Sequence, residues 1–306
     1  MAGRRLMVRL TTRCNLGCEH CTIRDILQHG ERSADECAKE ILDGRMSGCT
    51  ELVFMRGEVT TRREFPALVR YAKRAGYELI QVQTNGRMLA DEGYFDRIVA
   101  AGANFFEVSV FGSDAVRHDE IGRDPGAFEQ TMRGIARIVA AGVPHMVTVP
   151  VIKSTVDDLL ATTEVMSRAG VQQIQFNFNR PFMVDGAWFL DPVARLDDCS
   201  EAIREALHRA RELGMWATTE AVPLCHLDPE DATRFGGDIH TDFGRIQISD
   251  IHIKTDSMAD HRTESRPTSD ACSGCTHEAY CPRTWKAYQE IFGTAELRRV
   301  VAIDRR

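Results

Sequence analysis

Cys14, Cys18 and Cys21 fall within eight residues, in the stretch TTRCNLGCEHCTIRD, directly after the first apolar run, Leu6 to Leu10. A C-x3-C-x2-C run closes a small loop whose thiolates can converge on one soft metal centre, and thiolates favour iron–sulfur clusters, zinc or cuprous copper. Three ligands are offered where a closed tetrahedral site needs four, and an open coordination position suits chemistry at the metal rather than reinforcement of a fold. Arg13, Asn15, Gly17, Glu19 and His20 read as a polar loop, unlike the apolar surroundings of an ordinary buried thiol. A structural zinc, with His20 as fourth ligand, is the alternative.

A second group lies in ACSGCTHEAYCPRTWKAYQEIFG, with Cys272, Cys275 and Cys281, and Cys225 stands upstream in VPLCH. The C-x2-C-x5-C spacing can hold one metal, and Cys225 could complete four ligands for a cluster or for a zinc ribbon. His226, His252 and His277 are substitutes as ligands. Cys37, on a predicted helix, and Cys49, just before a predicted strand, read as core or surface thiols.

Composition frames these groups. The 306 residues are 43% hydrophobic and 27% charged, as in a globular protein with a sizeable core. Apolar runs stop well short of a membrane span, and the N-terminal MAGRR lacks the apolar stretch of a signal peptide. The expectation is a cytoplasmic protein with no membrane association, whose ten cysteines stay reduced for metal or redox chemistry. A formal net charge of −7 speaks against nucleic acid as a partner. Arg62-Arg63 and Arg298-Arg299 read as solvated surface.

The elements that must position the cysteines alternate along the chain. Strands are expected at 5–10, 51–56, 78–84, 104–110, 145–151 and 172–178, with helices near 34–45, 64–75, 91–100, 127–141 and 155–168. The last helix carries a Ser154/Thr155 cap with Asp157 and Asp158 in its first turn. Four helices end on Ala-Gly, at Ala75-Gly76, Ala101-Gly102, Ala141-Gly142 and Ala169-Gly170, and glycine closes a helix in the left-handed conformation without a Cβ penalty. Six such units imply a parallel sheet with right-handed crossovers, either an open barrel or a doubly wound sheet. Both place a site at the carboxyl ends of the strands, where the first cysteine loop lies. Residues 191–224 read as a helix, about 193–213, and a short strand-like run. A turn-rich stretch, 228–271, follows with loops and short hairpins.

At this point the chain resembles the radical S-adenosylmethionine (SAM) superfamily. The cysteine loop with His20 carries the resemblance, together with Arg56-Gly57-Glu58 after strand two, which matches a Gly-Gly-Glu motif with its first glycine replaced, Thr84-Asn85-Gly86 after strand three, and Ser109 at the end of strand four. The resemblance implies an α/β partial (β/α)6 barrel over residues 1–190 and a four-iron cluster on Cys14, Cys18 and Cys21, with SAM on the fourth iron. Glu58 suits the SAM ammonium group, Gly57 close backbone approach, and Asn85 and Ser109 the ribose or carboxylate. The second cysteine group, within 191–306, resembles the SPASM or Twitch auxiliary-cluster domains and implies a second 4Fe–4S cluster.

The implied activity is reductive cleavage of SAM, with the 5′-deoxyadenosyl radical taking a hydrogen atom from a small molecule or short peptide and a flavodoxin or ferredoxin-type reductant supplying the electron. An auxiliary cluster would favour net oxidation or cross-linking. A free Cys225 thiol would instead donate a hydrogen atom, as in an epimerase. A zinc-binding scaffold or regulatory protein is the expectation from another class, and a tRNA-modifying radical enzyme is disfavoured by the acidic balance.

Overall fold

Alternating β-rich runs and amphipathic helices build a single large sheet. The computed structural model describes residues 4–24, 30–234, 246–249, 254–255 and 263–301. In chain order the elements are β1 (Arg4–Arg9), α1 (Ala34–Met46), β2 (Cys49–Met55), α2 (Phe65–Ala75), β3 (Leu79–Thr84), α3 (Glu92–Ala101), β4 (Phe105–Ser109), α4 (Ala115–Gly122), α5 (Ala127–Ala140), β5 (His145–Val151), α6 (Leu159–Arg168) and β6 (Gln173–Phe178). There follow β7 (Phe182–Val184), β8 (Ala187–Phe189), α7 (Leu196–Glu212), β9 (Trp216–Glu220), α8 (Pro229–Arg234), β10 (Ile246–Ser249), β11 (Lys254–Thr255) and a helix at Lys286–Phe292.

The sheet runs β11-β10-β1-β2-β3-β4-β5-β6-β9, parallel throughout except for β11. From β1 to β6 the order never reverses, and a doubly wound sheet requires a reversal at its switch point, so this is the open half-barrel. Its six-unit core is as expected, and two further parallel strands flank it. Both β9 and β10 come from the segment 191–306: Gln173 to Asn177 pair with Trp216 to Glu220 and Arg5 with Ile246.

Strand faces divide sharply. Leu6, Val8, Leu52, Phe54, Ile80, Val82, Phe106, Val108, Val147, Val149, Ile174 and Phe176 pack against the helices as one continuous core. Residues of the other parity, among them Arg9, Gln81, Gln83, Glu107, Ser109, Thr148, Gln175 and Asn177, line a cavity of about 880 Å³ on the concave side. A parallel strand covered on both faces is ordinarily apolar throughout, so this alternation marks a wetted interior.

Local chemistry explains the helix ends. Ser33 and Glu36 form a reciprocal capping box at α1, and Asp91 and Asp114 cap α3 and α4. All four Ala-Gly glycines take positive φ. The expected cap of α6 is corrected: α6 begins at Leu159 behind a 3-10 turn, and the Thr155 hydroxyl bonds back to the Pro150 carbonyl at 2.6 Å. Asp158 accepts instead from the Ser113 N–H and hydroxyl, tying α6 to the end of β4. α8 stands where the sequence reading expected loops. β7 and β8 form a hairpin whose turn residues Asp185 and Gly186 both have positive φ, the Asp-Gly signature of a type I′ turn.

Candidate active site and metal centres

The cysteine loop leaves β1 at the carboxyl end of the sheet, and its neighbours hold its backbone. Gly17 and Glu19 donate to the carbonyls of Gly122 and Ile121 at 3.0 Å each, and Leu16 and Cys18 pack against Phe111, Ile121 and Ile152. From β2, the Glu58 N–H donates to the Arg13 carbonyl at 2.8 Å. That contact explains Gly57, which has φ 56°: a Cβ there would lie 2.4 Å from the Arg13 carbonyl oxygen and 2.8 Å from that of Thr11. The close approach read from the sequence is therefore to the chain's own cysteine loop. Arg56, in place of the motif's first glycine, also adopts positive φ, 73°.

Glu58 is fully buried, and four donors of its own chain meet its carboxylate. Oε1 accepts from the Thr60 N–H and hydroxyl and from the Thr84 hydroxyl at 2.8 Å, and Oε2 from the Asn85 N–H at 2.7 Å. One lone pair of Oε2 remains for a ligand. Burial pushes the Glu58 carboxyl above the usual range while these donors oppose the rise. Asn85 directs its side chain to the cysteine loop, with Nδ2 2.7 Å from Asn15 Oδ1 and 3.9 Å from Cys14 Sγ. Ser109 lines the cavity beside Thr148, their hydroxyls 3.4 Å apart. The His20 ring packs edge-on against Phe111 with Nδ1 buried and unpartnered, and burial, with Arg24 nearby, lowers its pKa to about 4.

Cys14, Cys18 and Cys21 all line the large cavity together with His20, Gly57, Glu58, Asn85 and Ser109. Burial, and the sulfurs of Cys14 and Cys21, raise the Cys18 thiol well above its ordinary value, a burden that a bound cation would offset. Cys225, Cys272, Cys275 and Cys281 line a second, smaller cavity. The N–H groups of Arg298 and Leu224 point at the sulfurs of Cys225 and Cys281, each at 3.5 Å, as suits thiolate acceptors. His226 is not free to be a ligand, since its ring nitrogens engage the Ser200 hydroxyl at 2.7 Å and the Glu296 carbonyl at 2.8 Å. His277 lines the second cavity with Nδ1 on the Tyr280 hydroxyl, and His252 lies outside the described residues.

Among the described residues, the one trio of His, Cys, Asp or Glu whose ligand atoms all lie within 4.8 Å of one another is His208, Asp228 and Asp231.

The residues 8–166 match the family model described as the Radical SAM superfamily. The chain belongs to the radical SAM superfamily. Members use a 4Fe–4S cluster and SAM. The chain is 31% identical over 203 residues to an AdoMet-dependent heme synthase of Methanosarcina barkeri, covering 65% of this chain and 54% of that protein. It is 27% identical over 173 residues to a PqqA peptide cyclase of Ruegeria pomeroyi, covering 56% and 46%. The chain thus spans about half the length of these curated relatives. The fold is similar to that of anSMEcpe solved with bound AdoMet and the Cp18Cys peptide (TM-score 0.64, 14% identity, 91% of this chain and 88% of that one). It is also similar to SuiB of Streptococcus suis (TM-score 0.58, 14% identity, 71% and 49%).

Sequence reasoning missed the radical SAM chain's cavity wall. Gln81 and Gln83 both donate to Glu107 Oε2, at 2.6 and 2.9 Å, and burial, reinforced by Glu220, raises the Glu107 carboxyl to about 7. Asn177 leaves its buried Oδ1 unpartnered. The signal was present: QVQ, FEVS and QIQFNF alternate polar with apolar residues inside strands of a parallel sheet.

Proposed function

We propose that the chain is a radical SAM enzyme that abstracts a hydrogen atom from a polar small molecule or short peptide, giving net oxidation or cross-linking. The observation that carries this reading is the opening of the three-cysteine loop into an 880 Å³ cavity walled by Gln81, Gln83, Glu107, Gln175 and Asn177. When bound, cluster and SAM would supply one-electron cleavage and hydrogen-atom abstraction; the chain's residues bind, orient and exclude water. Cys14, Cys18 and Cys21 would hold the cluster, and Glu58 Oε2 would take one N–H of the SAM ammonium. The wall would orient the substrate through its acceptors, Glu107 and Asn177. The peptide-modifying relative and the peptide in the anSMEcpe structure support a peptide among the candidate substrates. A flavodoxin or ferredoxin-type reductant would supply the electron.

Cys225, Cys272, Cys275 and Cys281 would hold an auxiliary 4Fe–4S cluster of the Twitch kind. Cys225 lines the small cavity with the other three thiols and is absent from the lining of the large one, which supports a ligand over a hydrogen donor to substrate, and so oxidation over epimerisation.

Replacing Cys14, Cys18 and Cys21 together by alanine should remove about four irons per chain and abolish 5′-deoxyadenosine formation with dithionite, leaving the circular dichroism of the barrel intact. The same iron count on Cys225→Ala should reveal loss or alteration of the second cluster only. Undiminished 5′-deoxyadenosine in the triple variant would sink the assignment. Stoichiometric zinc in colourless, anaerobically purified protein would revive the scaffold reading.

A further inference from the structure

We infer that Asn85 donates a hydrogen bond to the Cys14 sulfur and thereby sets how readily the centre on the cysteine loop accepts an electron, with Arg87 as the positioning residue that holds the loop against it. The inference rests on the reading of Cys14 as a cluster ligand. Three observations carry it.

The backbone of Asn85 is pinned from both sides, its N–H on Glu58 Oε2 at 2.7 Å and its carbonyl on the Thr131 hydroxyl at 2.8 Å. Its side-chain orientation is also determined. Oδ1 lies 3.1 Å from the backbone nitrogen of Arg87, and a backbone N–H can only donate, so that end of the amide must be oxygen. The opposite end is therefore NH2, and it faces Asn15 Oδ1 at 2.7 Å and Cys14 Sγ at 3.9 Å.

The loop is fastened from the same turn. The Arg87 guanidinium donates to the Asn15 carbonyl, the residue next to Cys14, at 2.5 Å, to Asp124 at 2.9 Å and to Gln130 at 2.6 Å. Its side chain is only 12% exposed. A planar fork with several donors can span three acceptors in this way, and a lysine cannot.

A hydrogen bond to a ligating thiolate draws electron density from sulfur and favours the more negative, reduced state of the centre. Removing the donor should lower the reduction potential. The test is an EPR-monitored redox titration of the anaerobically reconstituted full chain without SAM, following the signal that vanishes in the Cys14/Cys18/Cys21 triple-alanine protein. Asn85→Ala should retain that signal at a lower potential. Asn85→Leu has a similar volume and loses the donor without adding a charge that would itself depress the potential, so it should also titrate lower, and it decides the matter if the alanine variant binds no iron. Arg87→Met should speed iron loss from this centre to a chelator several-fold, with Arg87→Lys intermediate.

An unchanged SAM-free potential in both Asn85 variants would overturn the inference and leave Asn85 a SAM contact or a packing residue. Absence of the signal from the wild-type chain would instead sink the functional reading, and this inference with it.

Discussion

Glu107 is the residue whose chemistry the fold alters most legibly. Its carboxyl titrates near 7, chiefly because it is buried. Between about pH 4.5 and 7 the folded chain holds a proton that the unfolded chain has released, so stability falls as pH rises through that window. At about 1.4 kcal/mol per pH unit, the effect is on the order of 3 kcal/mol at most. Glu107→Gln should flatten this part of the urea-midpoint profile relative to wild type; identical slopes would refute the buried proton. The polar alternation of FEVS was legible but the raised carboxyl was not, because a lone glutamate in a strand reads as a solvent-facing residue until the register places Gln83 directly opposite it. The cysteines were legible for the contrary reason: spacing within eight residues is a local property that survives any packing around it.

At the scale of elements, the loops after β1, β2 and β3 are welded at their tips, and Gly57 is the closest point. Gly57→Ala would force a methyl group into two carbonyl oxygens at positive φ, and neither neighbour is a flexible side chain. We expect a loss on the order of 1–3 kcal/mol, as for residues forced into a sparsely populated backbone region. Lower iron content after reconstitution should accompany it, measured by thermal denaturation and iron analysis; a normal Tm with full iron would contradict the close approach. Strands and helices were readable here, since Ala-Gly ends and β-branched runs follow local propensity. The short α4 was not assigned, and the start of α6 was misplaced because Asp158 bonds to Ser113, which only the tertiary fold brings near, while the Thr155 hydroxyl turns back to the Pro150 carbonyl.

For the whole molecule, the cysteine-rich C-terminal part is anchored on α7 by a buried polar knot around Glu296. Its carboxylate accepts from Tyr288 and Arg195, and its carbonyl meets His226. Glu296→Ala would leave the His226 contact to the backbone carbonyl but strand the Tyr288 hydroxyl and remove the partner of Arg195, at a cost of about 1–3 kcal/mol. Limited proteolysis should then cut within 263–301 before the barrel, and uncut protein at wild-type rates would refute the anchor. A short strand-like run was legible where β9 stands, and hairpins where β10 and β11 pair, but the seating of β9 and β10 at the flanks of the sheet was beyond sequence reasoning for the same reason as this knot. Their partners lie far along the chain, and nothing local announces the pairing.

The partnership of β1 and β10 also has a temporal side. Arg5 meets Ile246, roughly 240 residues later, and at about 5–20 residues per second a ribosome needs on the order of 12–48 s to deliver the second strand after the first. One edge of β1, with the cysteine loop at its end, stays unpaired for that interval. For that interval the nascent cysteine loop exists on a sheet whose β1 edge is still open. Chains arrested before Ile246 should leave β1 open to protease where the finished protein resists; equal resistance in both would show that β1 is secured without its late partner.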